Sequence, residues 1–401
     1  MKGSFVCMLV LLILATSSKV RGQFAYSTNA DGSIYTYGTN ADGTANIAAY
    51  SGPSWVVTIP TAVNGLPVTS IAFGAFLACG SLTSITIPES VTSIGEAAFD
   101  NCTNLTSVNL ANGIASIGAN AFFRCPSLAS VIIPESVTNI GDDPFGASIS
   151  LKSITVDTNN LFYSSVNGVL FDKNQTTLIQ YPSGLSGIYT IPGSVNSIAD
   201  NAFGSCTNLN SVIVPASVSS IGVSAFDDCI SLTNVNIANG VTNIGYGAFH
   251  DCTSLTSMTI PASVTSIGDL AFVGCNGLTN VYFQGNAPVL DFDEILFFGA
   301  NATIYYLPGT TGWTSTFSGR PALPWTPLIE TGDGSFGVRT NQFGFNITWA
   351  SGMTVVLEVC SNLTTPVWNP VQRFTLTNGS YFFSEPVQTN ASGRFYRVKS
   401  P

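Results

Sequence analysis

The chain has 401 residues, enough for several domains or one elongated array; 8% of them are charged, 45% are hydrophobic, and the net charge is −10. So acidic a chain repels phosphate backbones and anionic lipid, which argues against nucleic-acid and membrane-surface binding. Past the N-terminus the apolar residues fall at short intervals among Ser, Thr, Asn and Gly, which argues against a membrane-embedded body.

Residues 1–22 differ. Lys2 precedes an apolar run from Phe5 to Ala15 and a polar stretch ending Val20-Arg21-Gly22. This reads as a secretory signal peptide cut near Gly22, too short to span a bilayer. Cys7 lies inside the apolar run and not at the cut, against a lipid anchor. Residues 1–22 hold three cations and no acid, so the remainder carries nine cations against 22 acids, a net of −13. The expected location is secreted, extracellular or at a cell surface, with no membrane insertion after cleavage.

Residues 23–54 read as an N-terminal cap. Asn29-Ala30-Asp31-Gly32 and Asn40-Ala41-Asp42-Gly43 sit between alternating runs, a hairpin signal because Gly accepts positive φ. The same Asn and Asp residues suggest a calcium loop, but the further acidic ligands and closing Glu are missing.

Residues 55–325 are dominated by a 23-residue repeat. LTSITIPESVTSIGEAAFDNCTN from Leu82 becomes LTSVNLANGIASIGANAFFRCPS one period later. Phe76, Phe99, Phe122 and Phe145 keep this beat, as do Phe203, Phe226, Phe249 and Phe272, so each coil buries its apolar face only against its neighbours. The wider gap between the two groups marks one enlarged coil at about 157–191, where Gly168–Phe171 and Thr176–Ile179 read as strands of a projecting hairpin. Within a coil, Ile85 and Ile87 alternate with Ser84 and Thr86 as a strand that Pro88 ends. Val91 and Ile94 return to the core, Gly95 turns the chain, and Ala98-Phe99 forms a tight helical or 3₁₀ turn. About ten coils at strand spacing give a rod of roughly 45–50 Å.

The repeat LTSITIPESVTSIGEAAFDNC resembles the BspA-like, or Treponema-type, leucine-rich repeats over roughly residues 55–325. The resemblance implies secreted or surface proteins of bacteria and some protists, associated with adhesion and protein binding. It implies a class of function only, because one scaffold serves many ligands.

After Cys275 the beat fades into a loop with Asp291, Asp293 and Glu294, read as a solvated turn, and an aromatic stretch from Ile304 to Trp313. The Pro-rich segment Pro321–Pro327 marks a boundary. Residues 328–401 read as a small β-sandwich of short strands near Phe343–Trp349, Thr354–Val359, Arg373–Leu376, Tyr381–Phe383 and Arg394–Val398. The fold class is therefore mainly β: a leucine-rich-repeat solenoid with short helical turns, followed by the sandwich.

Chemistry-bearing residues are few. Cys79, Cys102 and Cys125, then Cys206, Cys229, Cys252 and Cys275, stack one coil apart without the close pairs of a metal site. Stacked Cα atoms roughly 5 Å apart are within disulfide reach. Stacked side chains point the same way, however, and seven thiols cannot all pair, so the columns read as small buried hydrophobes; Cys360 has no visible partner. His250, the one histidine, sits beside Asp251 on an edge with Asp100, Asp227 and Asp228, where sequence neighbours rarely face each other productively. No nucleophile motif, phosphate loop or metal set is present, so the expectation is no enzyme, no metal and no cofactor.

What remains is the outward face of the strand column: Ser84, Thr86, Ser107, Asn109, Ser130, Ile132, Ser153, Thr155, Ser211, Ile213, Asn234, Asn236, Ser257, Thr259, Asn280 and Tyr282. In such solenoids this face is concave and is the usual docking surface. The expected role is a binding or adhesion protein for an extracellular protein or glycan. A structural component of a surface layer and a carbohydrate-binding accessory stand as alternatives, and the oligomeric state is open.

Overall fold

The computed structural model describes residues 24–29, 31–290, 295–349, 353–387 and 393–399. The signal-peptide segment and the acidic loop Asp291–Glu294 lie outside them. No helix among the described residues is long and apolar enough to cross a membrane. The chain forms two compact units, one made of the chain to Val281 with Pro288–Ala302 and Ser318–Arg320, the other of Tyr282–Ala287, Thr303–Phe317 and Pro321–Pro401.

In the first unit each regular coil supplies a longer strand, mostly of four residues, and a two-residue strand, such as Ser84–Ile87 and Ser93–Ile94. Both stack in parallel on the same positions of the next coil: Ser84 on Ser107 and Ile87 on Leu110, Ser93 on Ser116 and Ile117 on Ile140. Alternation sets the faces, with Ile85, Ile87, Val91 and Ile94 buried and Ser84 and Thr86 turned outward. Pro88 follows the last residue of its strand, where a ladder N–H is no longer needed.

On the third side of the coil the expected tight turn consists of separate i→i−3 turns, and the described residues contain no helix. From Ala97 onward alternate N–H groups leave the coil: Ala97, Phe99 and Asn101 donate to the carbonyls of Ala119, Ala121 and Phe123. Those between them, on Ala98, Asp100 and Cys102, close turns to Gly95, Ala97 and Phe99. A helix would point every N–H back along its own chain, so the intercoil ladder excludes it.

The glycine column also has a different cause from the one read in the sequence. The left-handed residues are two and six positions later, for example Ala97 (φ 52°) and Asn101 (φ 58°). Gly118 is needed for close approach: a Cβ there would lie 2.5 Å from Glu96 N and 2.6 Å from Gly95 C, backbone atoms that cannot swing aside. Gly118→Ala is therefore expected to destabilise by about 1–3 kcal/mol through overpacking, read as a lower urea midpoint at unchanged m-value.

Each coil places one aromatic ring over the next. Tyr50, Phe76, Phe99, Phe122 and Phe145 form one stack with centroids 4.9–5.7 Å apart. Tyr181, Phe203, Phe226, Phe249, Phe272 and Phe297 form a second, at 4.6–5.5 Å.

At the N-terminal end Ala25–Thr28, Ile34–Thr39 and Ala45–Ser51 make an antiparallel meander, whose last strand joins the short-strand sheet through Leu66–Ile71. Its turn carboxylates are committed to the backbone. Asp31 accepts from Ser33 N at 2.9 Å and Asp42 from Thr44 N at 3.0 Å. Hydrogen bonds from Ser33 and Ser54 hold the Asp31 carboxyl down at about 2.

The enlarged coil contains three strands, Tyr163–Val166, Val169–Asp172 and Thr177–Gln180, the first of them additional to the two expected from the sequence. Asn167 (φ 52°) and Gly168 (φ 82°) make the tight turn between the first two. The insertion does not project: Leu170, Phe171 and Leu178 are buried, and Thr177–Gln180 pairs in parallel with Ser197–Ile198.

The second unit holds the C-terminal sandwich. One sheet joins Leu328–Glu330, Gly337–Arg339, Gln342–Thr348 and Ser380–Pro386; the other flanks Thr354–Cys360 with Asn369–Thr375 and Phe395–Lys399. Phe345 and Ile347 from the first meet Val355 and Leu357 from the second in a shared core. Buried Glu358 is neutralised by Arg397 and Lys399, each at 2.7 Å, which hold its carboxyl below the usual range.

Candidate binding face

The four-residue strands set the outward residues in columns. Ser84 stands beside Ser107 and Thr86 beside Asn109; Ser130 stands beside Ser153 and Ile132 beside Thr155; Ser211 stands beside Asn234 and Ile213 beside Asn236. Ser257, Thr259, Asn280 and Tyr282 lie outward on Ser257–Ile260 and Asn280–Phe283. None of the sixteen is buried, whereas the inward residues between them, such as Ile85, Val131, Val212 and Met258, are.

Two details change the expected lattice. The face also includes Val56 and Thr58, paired with Ser84 and Thr86, and Ile188 and Thr190, which lead into Ser211 and Ile213. The run Thr190-Ile191-Pro192 repeats Thr86-Ile87-Pro88, a signal in the sequence that could have placed the second pair. The ladder is also interrupted: Ile154 N donates to Gly168 O of the inserted hairpin, so the column breaks between Ser153–Val156 and Gly187–Thr190. Val56 (67% exposed), Ile132 (64%) and Ile188 (73%) make the face partly aliphatic.

The cysteine columns lie inside the coil. The eight cysteines among the described residues lie outside any disulfide, with Cys102, Cys125, Cys206, Cys229, Cys252, Cys275 and Cys360 buried. The S–H groups of Cys102, Cys229 and Cys275 donate to Phe76 O, Phe203 O and Phe249 O at 3.0–3.1 Å. Where the fourth coil has Ser148, its hydroxyl makes the same bond, to Phe122 O at 3.1 Å. The position thus favours a small side chain with a donor that adds a second bond to a carbonyl already closing a turn, as Phe203 O does with Cys206 N at 3.2 Å. Burial pushes the Cys125 thiol up to about 12 and raises Cys206 and Cys252 well above the ordinary value. Maleimide labelling of native protein is expected to stop at half-buried Cys79, with the others reacting only on unfolding.

On the turn edge His250 Nδ1 lies 2.9 Å from Asp227 Oδ1 and 3.4 Å from Asp251 Oδ2. Its closer partner is thus in the preceding coil, a juxtaposition made by stacking and hidden in the linear sequence. Asp228 is raised by burial first and then by the charges of Asp227 and Asp251. No hydroxyl or thiol is hydrogen-bonded to His250, and no three metal-ligating side chains gather as a metal site, among the described residues.

A family profile described as BspA type leucine rich repeat region matches residues 69–190 and 187–301, more than half of the chain. Among solved structures the chain is similar to a leucine rich cell surface protein from Faecalibacterium prausnitzii, with 26% identity and a TM-score of 0.46 over 76% of this chain and 100% of that one. It is similar to the pneumococcal vaccine antigen PcpA, with 20% identity and a TM-score of 0.54 over 75% and 98%. A T. pallidum leucine rich repeat protein shares 29% identity with a TM-score of 0.35 over 55% and 87%. The likeness to PcpA bears on the fold alone. No curated protein matches the chain.

Proposed function

This chain belongs to the BspA-type leucine-rich repeat family, and from that premise we propose that it is a non-enzymatic, secreted or cell-surface binding protein that docks an extended protein segment on its long-strand face. The observation that carries this reading is the absence of charge there. None of the sixteen expected residues, nor Val56, Thr58, Ile188 or Thr190, is ionisable at neutral pH, although the chain holds 22 acids. Hydroxyl and amide side chains at one-coil spacing pair with backbone amides of a partner, and the exposed aliphatics supply apolar burial. Adhesion is the finer form of the same reading.

An uncharged face gives no electrostatic steering, so the affinity should change little between low and physiological salt. The test incubates signal-free protein with a panel of extracellular proteins, beside a variant carrying Ser107→Glu, Ser130→Glu, Ser211→Glu and Asn234→Glu. Salt-insensitive binding that the folded variant loses supports the reading. Equal binding by both overturns the placement of the site, and concentration-dependent self-assembly without any binding favours a structural role in a surface layer.

A further inference from the structure

The short-strand column of the same unit carries a second feature. Beyond Thr177 of the inserted hairpin, Ser197–Ile198, Ser220–Ile221 and Asn243–Ile244 stack in parallel register. They border an open groove of about 480 Å³. Ile198 and Ile221 are buried, so the groove meets Thr177, Ser197, Ser220 and Asn243, one polar side chain per coil. Asp142, from the coil before the insertion, and Asp200, from the coil after it, add two carboxylates. Gly222 and Gly245, kept side-chain-free by the close approach of neighbouring coils, leave the lining open between these groups. Tyr246, next in the chain after Gly245 and 49% exposed, continues the column of Asp200 and Val223 one coil further on.

Several of these groups are already fixed. Asp200 Oδ1 accepts from Val223 N at 2.7 Å, which orients the carboxylate and leaves Oδ2. Ser266 donates to Asn243 Oδ1 at 2.6 Å, leaving the amide donors. The hydroxyls of Ser197 and Ser220 lie 3.4 Å apart. Polar groups therefore recur along the groove at a rise of roughly 4.8 Å, the spacing of adjacent strands and close to the advance of one sugar ring in an extended glycan.

Other ligand classes fit less well. Ser197–Ile198 and Ser220–Ile221 are paired on both sides, so a peptide finds no free backbone edge to extend. Val223 is the exposed large apolar residue of the lining, which leaves no pocket for a hydrophobic anchor. The two carboxylates repel uronates and phosphates. They suit vicinal hydroxyls, as donors to fixed acceptor oxygens, and an exposed tyrosine ring suits the apolar face of a pyranose. We propose that this groove binds a neutral glycan running across the coils.

The test is affinity electrophoresis of the full signal-free protein through gels containing a soluble β-glucan, a xylan or a galactomannan, with alginate as the anionic comparison. Wild type, Tyr246→Ala, Asp142→Ala and the four-Glu long-face variant are run together. The expected result is retardation by at least one neutral polysaccharide and none by alginate. Apparent affinity should fall about tenfold or more in Tyr246→Ala and Asp142→Ala, at unchanged thermal midpoints, and stay intact in the long-face variant. Thr177→Val replaces either groove variant if its midpoint shifts. No neutral retardation, or retardation indifferent to the groove variants, overturns the proposal. So does binding of oligolysine, abolished by Asp142→Ala, in a protein that neutral polysaccharides do not retard.

Discussion

Phe226→Ala is expected to lower the free energy of unfolding by about 3–5 kcal/mol. The ring is fully buried, with its centroid 4.6 Å from Phe203 and 5.1 Å from Phe249 and nearly parallel to both. Truncation removes two ring contacts and leaves a cavity that cannot easily close. Phe226 N donates to Ala248 O at 2.7 Å and Phe226 O accepts from Cys252 Sγ at 3.2 Å, so the backbone on both sides is held by the next coil. In a stack where each coil touches only its neighbours, no distant part of the core compensates. Urea unfolding of wild type, Phe226→Ala and Phe226→Leu measures the effect, with the leucine variant between the other two. A loss under about 1 kcal/mol in the alanine variant would mean that the ring stack does not hold the coils together.

The ladder was legible wherever the 23-residue beat ran unbroken, because burial repeats with the backbone. Tyr50, Tyr181 and Phe297 stayed hidden although they complete the two stacks. An insertion changes the count along the chain without changing the spacing in space. The glycine column was visible, but its cause was not: sequence suggests turn geometry, whereas at Gly118 the limit is the backbone of the preceding coil. The sixteen outward residues followed from simple alternation. Asp142 and Asp200 line one groove from opposite sides of the enlarged coil, which no local pattern could indicate.

Asp143→Asn is expected to stabilise the protein at pH 7.5 by about 2–3 kcal/mol and to have little effect at pH 4. In regular coils the N–H at the ladder position finds a backbone carbonyl, as Phe99 does at Ala121 and Phe122 at Pro144. At the junction with the enlarged coil Phe145 N instead donates to the Gln180 side chain at 3.3 Å, and that same side chain donates to Asp143 Oδ1 at 2.6 Å. Burial pushes the Asp143 carboxyl up to about 6, with the charges of Asp142 and Asp227 adding and the Gln180 bond pulling it back. A carboxyl raised above its unfolded value binds its proton more tightly in the folded state. Its contribution to stability is therefore full below about 4 and lost as pH rises through about 6. Asparagine keeps the acceptor for Gln180 and the left-handed backbone, since Asn120 and Asn201 occupy the same column at φ 55° while Asp143 sits at 47°. The difference between variant and wild type should thus open between pH 4 and 7.5. Carboxyls held low, Asp31, Asp42, Asp333 and Glu358, lose their contributions only at lower pH and equally in both proteins. Urea unfolding across that range decides the matter. A variant less stable than wild type at pH 7.5 would mean that the ionised carboxylate makes a bond the junction needs. A more stable one would place an uncompensated charge at the seam between the two ring stacks, one residue from the carboxylate that enters the groove.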